Sequence, residues 1–344
     1  HLASSAASDV YKRQSLMLSV KGAALLVLLV LCAPLQAREK CPRPEPRVLP
    51  QVAENELLLV TQNLWRLVDD HPDTHADQPV DTAYFQQRLD AVADYLGDTL
   101  QWPHLLAVQE VEHPRLLEQL VARIAARGGP AYQFAIREGL DPSGIDVALL
   151  YRAPVRVADI DSPFHRDRYK RSPLYSRPPL VVTLAEPLSI MLVVVHLRSG
   201  IDLEDARKGK NIQEKRRRQA QQLRDWLEDR VAEGIDVALV GDLNSAFGDM
   251  PYAEPVIILD RAPFDSVWEQ LPENERFSYV YQCRRQAIDN ILLSESLLDD
   301  VSRVAVMRGN AGYQHLLYRK QPPHLVSDHD GLGVYLRWGS EPEQ

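Results

Sequence analysis

From Glu56 onward, short apolar runs of strand type recur about a dozen times, while only three long stretches carry helical periodicity. This ratio limits the fold more than any other feature. A doubly wound parallel sheet needs about one helix per strand, and this chain has too few. Two stacked mixed sheets flanked by helices satisfy the count. The strand-like runs are Leu57–Thr61, His104–Gln109, Tyr132–Ile136, Asp146–Tyr151, Val155–Ile160, Leu180–Leu184, Ile190–Val195, Ile235–Val240, Phe277–Tyr281, Ala287–Leu293, Val301–Val306 and Gly331–Leu336. The spacing predicts a helix over Asp81–Leu96, capped by Asp81 or Thr82 and stopped by Gly97. A second helix opens at Pro114, and a third covers Asn211–Val231.

The chain has 344 residues, 45% hydrophobic and 25% charged, which is the ordinary globular balance and excludes wholesale disorder. Three cysteines exclude a disulfide-dense scaffold. The net charge of −9 argues against nucleic-acid binding through bulk positive charge, but leaves room for a local basic groove. No internal repeat or interdomain linker is visible, so residues 55–340 read as a single domain.

Residues 17–37 read as a secretory signal peptide. Met17 is the start, Lys21 the positive flank, and Ala23–Leu31 an apolar run too short to span a bilayer. The expected location is periplasmic or secreted, in soluble form. Residues 1–16 read as a non-native extension and carry no weight in the fold. Residues 38–54 contain Pro42, Pro44, Pro46 and Pro50 and read as an extended arm outside the core. Beyond the signal, Cys41 and Cys283 remain. An even pair in an oxidising compartment points to one disulfide, with two separate thiols as the alternative.

Polar residues recur at strand ends. Asn63 follows LLLVTQ, Glu110 follows HLLAVQ, His196 follows IMLVVV, and Asp242 and Asn244 follow VALVG. Asp289 lies in AIDNILLS, and Asp328 and His329 precede GLGVYL. Each alone has a bland reading as a turn or core residue. Their shared placement argues for a site where strand ends converge. Carboxylates and an amide suit a hard divalent cation, and no Cys/His cluster suggests zinc.

The segments QNLW (62–65), VQEVE (108–112), GIDVALLYR (144–152), VVVHLRSG (193–200), VGDLNS (240–245), AIDNILLS (287–294) and SDHDGL (327–332) resemble the endonuclease/exonuclease/phosphatase superfamily, the deoxyribonuclease I-like fold. The resemblance implies a four-layer αββα sandwich and hydrolysis of phosphate esters assisted by Mg²⁺ or Mn²⁺, with a structural Ca²⁺ as a further candidate. It implies Glu110, Asn63 and Asp328 at the metal, Asp242 orienting the attacking water, and Asn244 donating to the phosphate. His329 becomes the main imidazole, fixed by Asp289, and His196 a second one that gives a proton to the leaving group. Asp146 is a candidate partner of His196, and His324 reads as a loop residue.

Having both His196 and His329 resembles the secreted deoxyribonuclease I branch. Trp65 stands where the abasic-site repair branch carries a carboxylate. The stretch Arg207–Arg218 holds seven basic residues and one acid. It suits a polyanion, with Arg198, Lys208 and Lys210 as substrate contacts, or else is a solvated helix face. The expectation is a secreted metal-dependent endonuclease on DNA, with RNA as a second substrate. No stable membrane association is expected once the signal is removed. The alternatives are a sphingomyelinase-like phospholipid phosphodiesterase, an inositol phosphate phosphatase, and a non-catalytic binding scaffold.

Overall fold

The computed structural model describes residues 43–72, 79–186, 188–248, 250–314 and 326–338. One six-stranded sheet has the order β15 (Val301–Val306), β16 (Leu332–Arg337), β1 (Glu56–Leu67), β2 (Leu105–Val111), β4 (Asp146–Arg152), β3 (Tyr132–Ile136). The other has the order β11 (Phe264–Ser266), β14 (Asp289–Ser294), β10 (Asp236–Asp242), β9 (Ile190–His196), β8 (Leu180–Leu184), β5 (Val157–Asp161). Each sheet is mixed: β1 with β2 and β9 with β10 are parallel, and the other pairs are antiparallel. Two small hairpins, β6 (Arg168–Tyr169) with β7 (Ser172–Pro173) and β12 (Tyr279–Tyr281) with β13 (Arg284–Gln286), stand apart from the sheets.

Side-chain parity builds four layers. In β9, Ile190, Leu192 and Val194 face the core between the sheets, while Met191, Val193 and Val195 face the helix side. In β1, Leu59 faces the inter-sheet core and Leu58 and Val60 the opposite side. The helices α1 (Thr82–Asp98) and α2 (Pro114–Ala126) cover the first sheet through Phe85, Leu89, Leu116 and Leu120. The helices α3 (Gly209–Ala232) and α4 (Glu254–Leu259) cover the second through Leu223, Leu227, Val256 and Leu259. Each fully buried leucine contributes about 1.5–3 kcal/mol relative to an exposed one. A short helix α5 (Glu295–Leu298) follows β14. The expected αββα sandwich is the observed architecture.

Local departures have physical causes. Asp81 caps α1, accepting from the N–H groups of Ala83 and Tyr84, but Gly97 does not stop it. The helix runs to Asp98, and a Cβ on Gly97 would meet the Trp102 ring at 2.3 Å, so this glycine serves close packing. The run Phe277–Tyr281 contributes the hairpin strand β12 rather than a sheet strand. The arm expected outside the core is partly inside it. Leu49 is buried among the helix-side residues, the Arg47 backbone pairs with Arg308, and Tyr335 donates to the Pro50 carbonyl at 2.6 Å. The expected signal peptide and residues 1–16 lie outside the described residues. Among the described residues, no helix is long and apolar enough to cross a membrane.

Candidate active site

The parity that fills the inter-sheet core also delivers the polar residues. Leu59, Thr61 and Asn63 share one face of β1; Leu192, Val194 and His196 one face of β9; Ala238, Val240 and Asp242 one face of β10. On β14, Asp289 precedes Ile291 and Leu293 on that same face. Register brings the ends together, since Asp242 pairs with His196 on one side and with Asp289 on the other. Glu110 breaks parity. Strict alternation would send it to the helix side with Leu106 and Val108. Instead the register shifts between Gln109 and Val111, and Glu110 adopts φ 63°, which turns its carboxylate toward the site. Asn244 also has a positive φ, 50°. Strain of this kind is held by surrounding structure and gathers at functional sites.

Asn63 Nδ2 donates to Glu110 Oε1 and to Asp242 Oδ2, both at 3.1 Å, so one amide ties two carboxylates. Its own Oδ1 accepts from the Trp65 N–H at 2.9 Å, and Glu110 Oε2 accepts from the Arg66 N–H at 2.9 Å. The Asn63 oxygen expected at the metal accepts this one bond and keeps a second lone pair. Asp242 Oδ1 accepts the Asn244 N–H at 2.7 Å, and Oδ2 lies 3.5 Å from His196 Nε2. Asn244 Nδ2 donates to the Leu197 carbonyl at 3.1 Å. His329 Nδ1 bonds Asp289 Oδ2 at 2.7 Å, and its Nε2 is 3.8 Å from Asp328 Oδ1.

The His329 loop is fastened from several directions. The His329 carbonyl accepts from Gln62 Nε2 at 3.1 Å and Asn310 Nδ2 at 2.8 Å, and the Tyr95 hydroxyl donates to Gln62 at 2.6 Å. Ser327 Oγ donates to the Asn63 carbonyl and accepts the His329 N–H. Asp330 receives Arg308 at 3.0 Å. The Tyr279 ring lies 4.8 Å from the His329 ring, tilted by 37°. A locked loop of this kind holds an imidazole in one orientation.

Electrostatics separate the two imidazoles. Burial disfavours the charged form of His329, but Asp289, with Asp328 and Asp242, overrides it and raises its pKa well above the ordinary value. Burial, together with Arg177 and His329, holds His196 well below, so it is neutral. His196, expected as the proton donor, is thus the neutral member of the pair. Burial, reinforced by Asp289, pushes the Asp242 carboxyl up to about 7, and burial pushes Asp328 up to about 6. These shifts record carboxylates taken out of water with too little positive charge nearby. Asp289 Oδ1 is buried without a hydrogen-bond partner among the described residues. Ligand atoms of Asp242, Asp289 and His329 lie within 4.8 Å of one another. An oxygen-rich, charge-deficient pocket with an open carboxylate oxygen fits a hard divalent cation. A second group, Asp69, Asp70 and His71, follows β1, but Arg115 already pairs with Asp69 at 2.7 Å.

Other expected residues lie as follows. Asp146 accepts the Gly139 N–H at 2.8 Å. Arg177, not Asp146, reaches His196, donating to its carbonyl at 3.3 Å, because the loop after β3 bends back over Asp146. Arg198 and Lys208 line one cavity, and Lys210 is exposed outside its lining. Cys283 is disulfide-bonded, while Cys41 and His324 lie outside the described residues. Sequence reasoning missed Arg177, Tyr279 and Arg216. Arg216 sits in a run of arginines yet is buried, donating to the carbonyls of Arg198, Asn244 and Tyr252 at 2.6, 2.9 and 2.8 Å. Its place on the apolar face of α3, one turn before Ala220, was the available signal.

The profile of the Endonuclease/Exonuclease/phosphatase family matches residues 60–329, most of the chain. The chain belongs to this family. Endonuclease/exonuclease/phosphatase membership makes it a hydrolase of phosphate esters. Solved structures with the same fold include truncated TDP2 from Caenorhabditis elegans, with 16% identity, TM-score 0.54, and 82% of this chain and 97% of that one covered. D. rerio TDP2 complexed with a single-strand DNA product has 20% identity and TM-score 0.54, covering 82% and 99%. An endonuclease/exonuclease/phosphatase family protein from Bacteroides thetaiotaomicron has 14% identity and TM-score 0.53, covering 85% and 100%. Among curated proteins, none matches this chain.

Proposed function

We propose that this protein is a secreted, divalent-metal-dependent phosphodiesterase, an endonuclease that cleaves DNA and also RNA. One observation carries the reading. The Glu110–Asn63–Asp242 chain and the His329–Asp289 pair meet at one end of the inter-sheet core. Glu110, Asp242 and the open oxygen of Asp289 would hold Mg²⁺ or Mn²⁺, with Asp328 beside them, and the bound cation would neutralise charge on the phosphate. Asp242 receives the proton of the attacking water as its oxygen bonds to phosphorus. His329, held as an imidazolium by Asp289, faces the developing charge on the phosphoryl oxygens and returns a proton to the leaving oxygen. Neutral His196 lies beside Asp242, its Nε2 3.5 Å from Oδ2. Asn244 keeps one amide hydrogen for a phosphate oxygen while its other bonds Leu197. The single-strand DNA product in the D. rerio relative supports a nucleic-acid substrate.

The test is a substrate panel with Mg²⁺: plasmid, single-stranded RNA, sphingomyelin and inositol phosphates. Plasmid nicking that falls by about 10²-fold or more in His329→Ala supports the proposal. Choline-phosphate release with intact plasmid, or turnover of inositol phosphates alone, would replace it.

A further inference from the structure

A cavity of about 340 Å³ opens between the β6–β7 hairpin, the loop after β9 and the first turns of α3. Five cations line it, Lys170, Arg198, Arg207, Lys208 and Lys215, against one acid, Asp202. Asp202 pairs with Lys208 at 2.8 Å, so among the lining residues cations outnumber acids by four. The N-terminus of α3, a helix of 24 residues, begins at this wall, with no acid in its first turn and no side-chain cap from Lys208. Asp205, just before the helix, accepts from the N–H groups of Arg207 and Lys208 at 2.8 and 2.9 Å and answers this helix end, so the positive surplus rests on the side-chain cations. Like charges gathered this way repel, and a bound anion removes the repulsion. Burial, then Arg177, lowers the pKa of Arg198, and burial, then Arg198 and Arg177, lowers that of Lys215, with Asp141 opposing both shifts.

The walls are built rather than loose. The Arg198 N–H donates to Gln219 Oε1 at 3.0 Å, and its carbonyl is held by buried Arg216 at 2.6 Å. On the hairpin, the Tyr169 ring is flanked by Lys170 at 5.3 Å and Arg218 at 5.2 Å. Lys170 also reaches Asn211 on α3. Arg198 is two residues beyond His196, so their Cα atoms are within about 7 Å. The cavity is therefore adjacent to the reacting phosphate but separate from the carboxylates around it.

We propose that this cavity is a subsite for a second phosphate group, the phosphodiester next to the scissile one on a nucleic-acid strand. Resting on the phosphodiesterase reading above, it joins Lys215, within the basic stretch of the sequence, to Lys170 on the hairpin. The experiment compares a single-stranded oligonucleotide with bis(p-nitrophenyl) phosphate, which has only one phosphate. In Lys170→Gln/Lys215→Gln, KM for the oligonucleotide rises about tenfold, kcat stays within about twofold, and the slope of log affinity against log salt falls by about 1.4. Turnover of the small diester is unchanged, and Lys170→Arg/Lys215→Arg restores oligonucleotide KM. An unchanged oligonucleotide KM, or equal losses on both substrates, would overturn the subsite. If the wild type hydrolyses neither substrate, the phosphodiesterase reading fails, and the subsite is then judged by oligonucleotide binding in fluorescence anisotropy. Weaker binding by the glutamine variant upholds it, and equal binding rejects it.

Discussion

Asp146 begins β4 with the Gly139 N–H as its backbone donor. Burial, only partly offset by Gly139 and Arg177, pushes its carboxyl up to about 7 from an ordinary 3.8. A carboxyl raised on folding contributes stability that is full below its unfolded pKa and is lost as pH rises through the folded one. The window here is pH 4 to 7. Asp146→Asn keeps an acceptor for Gly139 and cannot ionise. Its melting temperature should match the wild type near pH 4 and exceed it by about 5 °C at pH 8, in thermal melts followed by circular dichroism. A constant difference between the two pH values would discount the buried acid. At this scale much of the site was legible. Asp242, Asn244, Asp289 and His329 each followed or opened an apolar run, and SDH and GDLN are specific pairs. Asp146 and Arg177 were not, because which of two nearby groups reaches His196 depends on how the 137–146 loop folds back, and no local pattern encodes that.

Strands and helices carry these residues into place, and two positions expose how. Gly241 lies at φ 137° in β10, and a Cβ there would meet the Val195 carbonyl oxygen at 2.0 Å. Gly241→Ala must push β10 away from β9, separating Asp242 from His196. We expect a loss of about 2–4 kcal/mol in urea unfolding and at least a hundredfold loss of phosphodiesterase activity. Arg216 fastens α3 to the loops after β9 and β10 through three carbonyls. Arg216→Met fills similar volume but leaves those acceptors unpaired. It should cost about 3 kcal/mol in stability and lower kcat more than it raises KM, because Asn244 and the Arg198 loop lose their anchor. The element pattern itself was legible, since period-two apolarity marks a buried strand whatever its partners. The bulge at Glu110 was not. It is a register shift among β1, β2 and β4, and a positive φ on a glutamate has no sequence mark. The β12–β13 hairpin has strand-like residues but, among the described residues, its two strands pair with each other, and Tyr279 lies against His329.

Across the whole molecule, a chain of net charge −9 concentrates cations along one wall beside a cluster of buried acids. The sandwich was legible from strand and helix counts, because few architectures bury a dozen strands with so few helices. The cation wall was legible only in part. A hairpin lysine and a helix lysine more than forty residues apart meet there, and only the folded chain joins them. The same topology gathers Glu110, Asp242, Asp289 and His329, and the account stands on that pocket needing a divalent cation to act. The decisive measurement is the cleavage rate of an end-labelled single-stranded oligonucleotide as Mg²⁺ or Mn²⁺ is titrated into chelator-treated protein, for wild type and Glu110→Gln. The account predicts a rate that climbs from zero to saturation with metal in the wild type and falls at least about a hundredfold in the variant. Cleavage that proceeds equally in chelator, or a Glu110→Gln rate equal to the wild type, would contradict it.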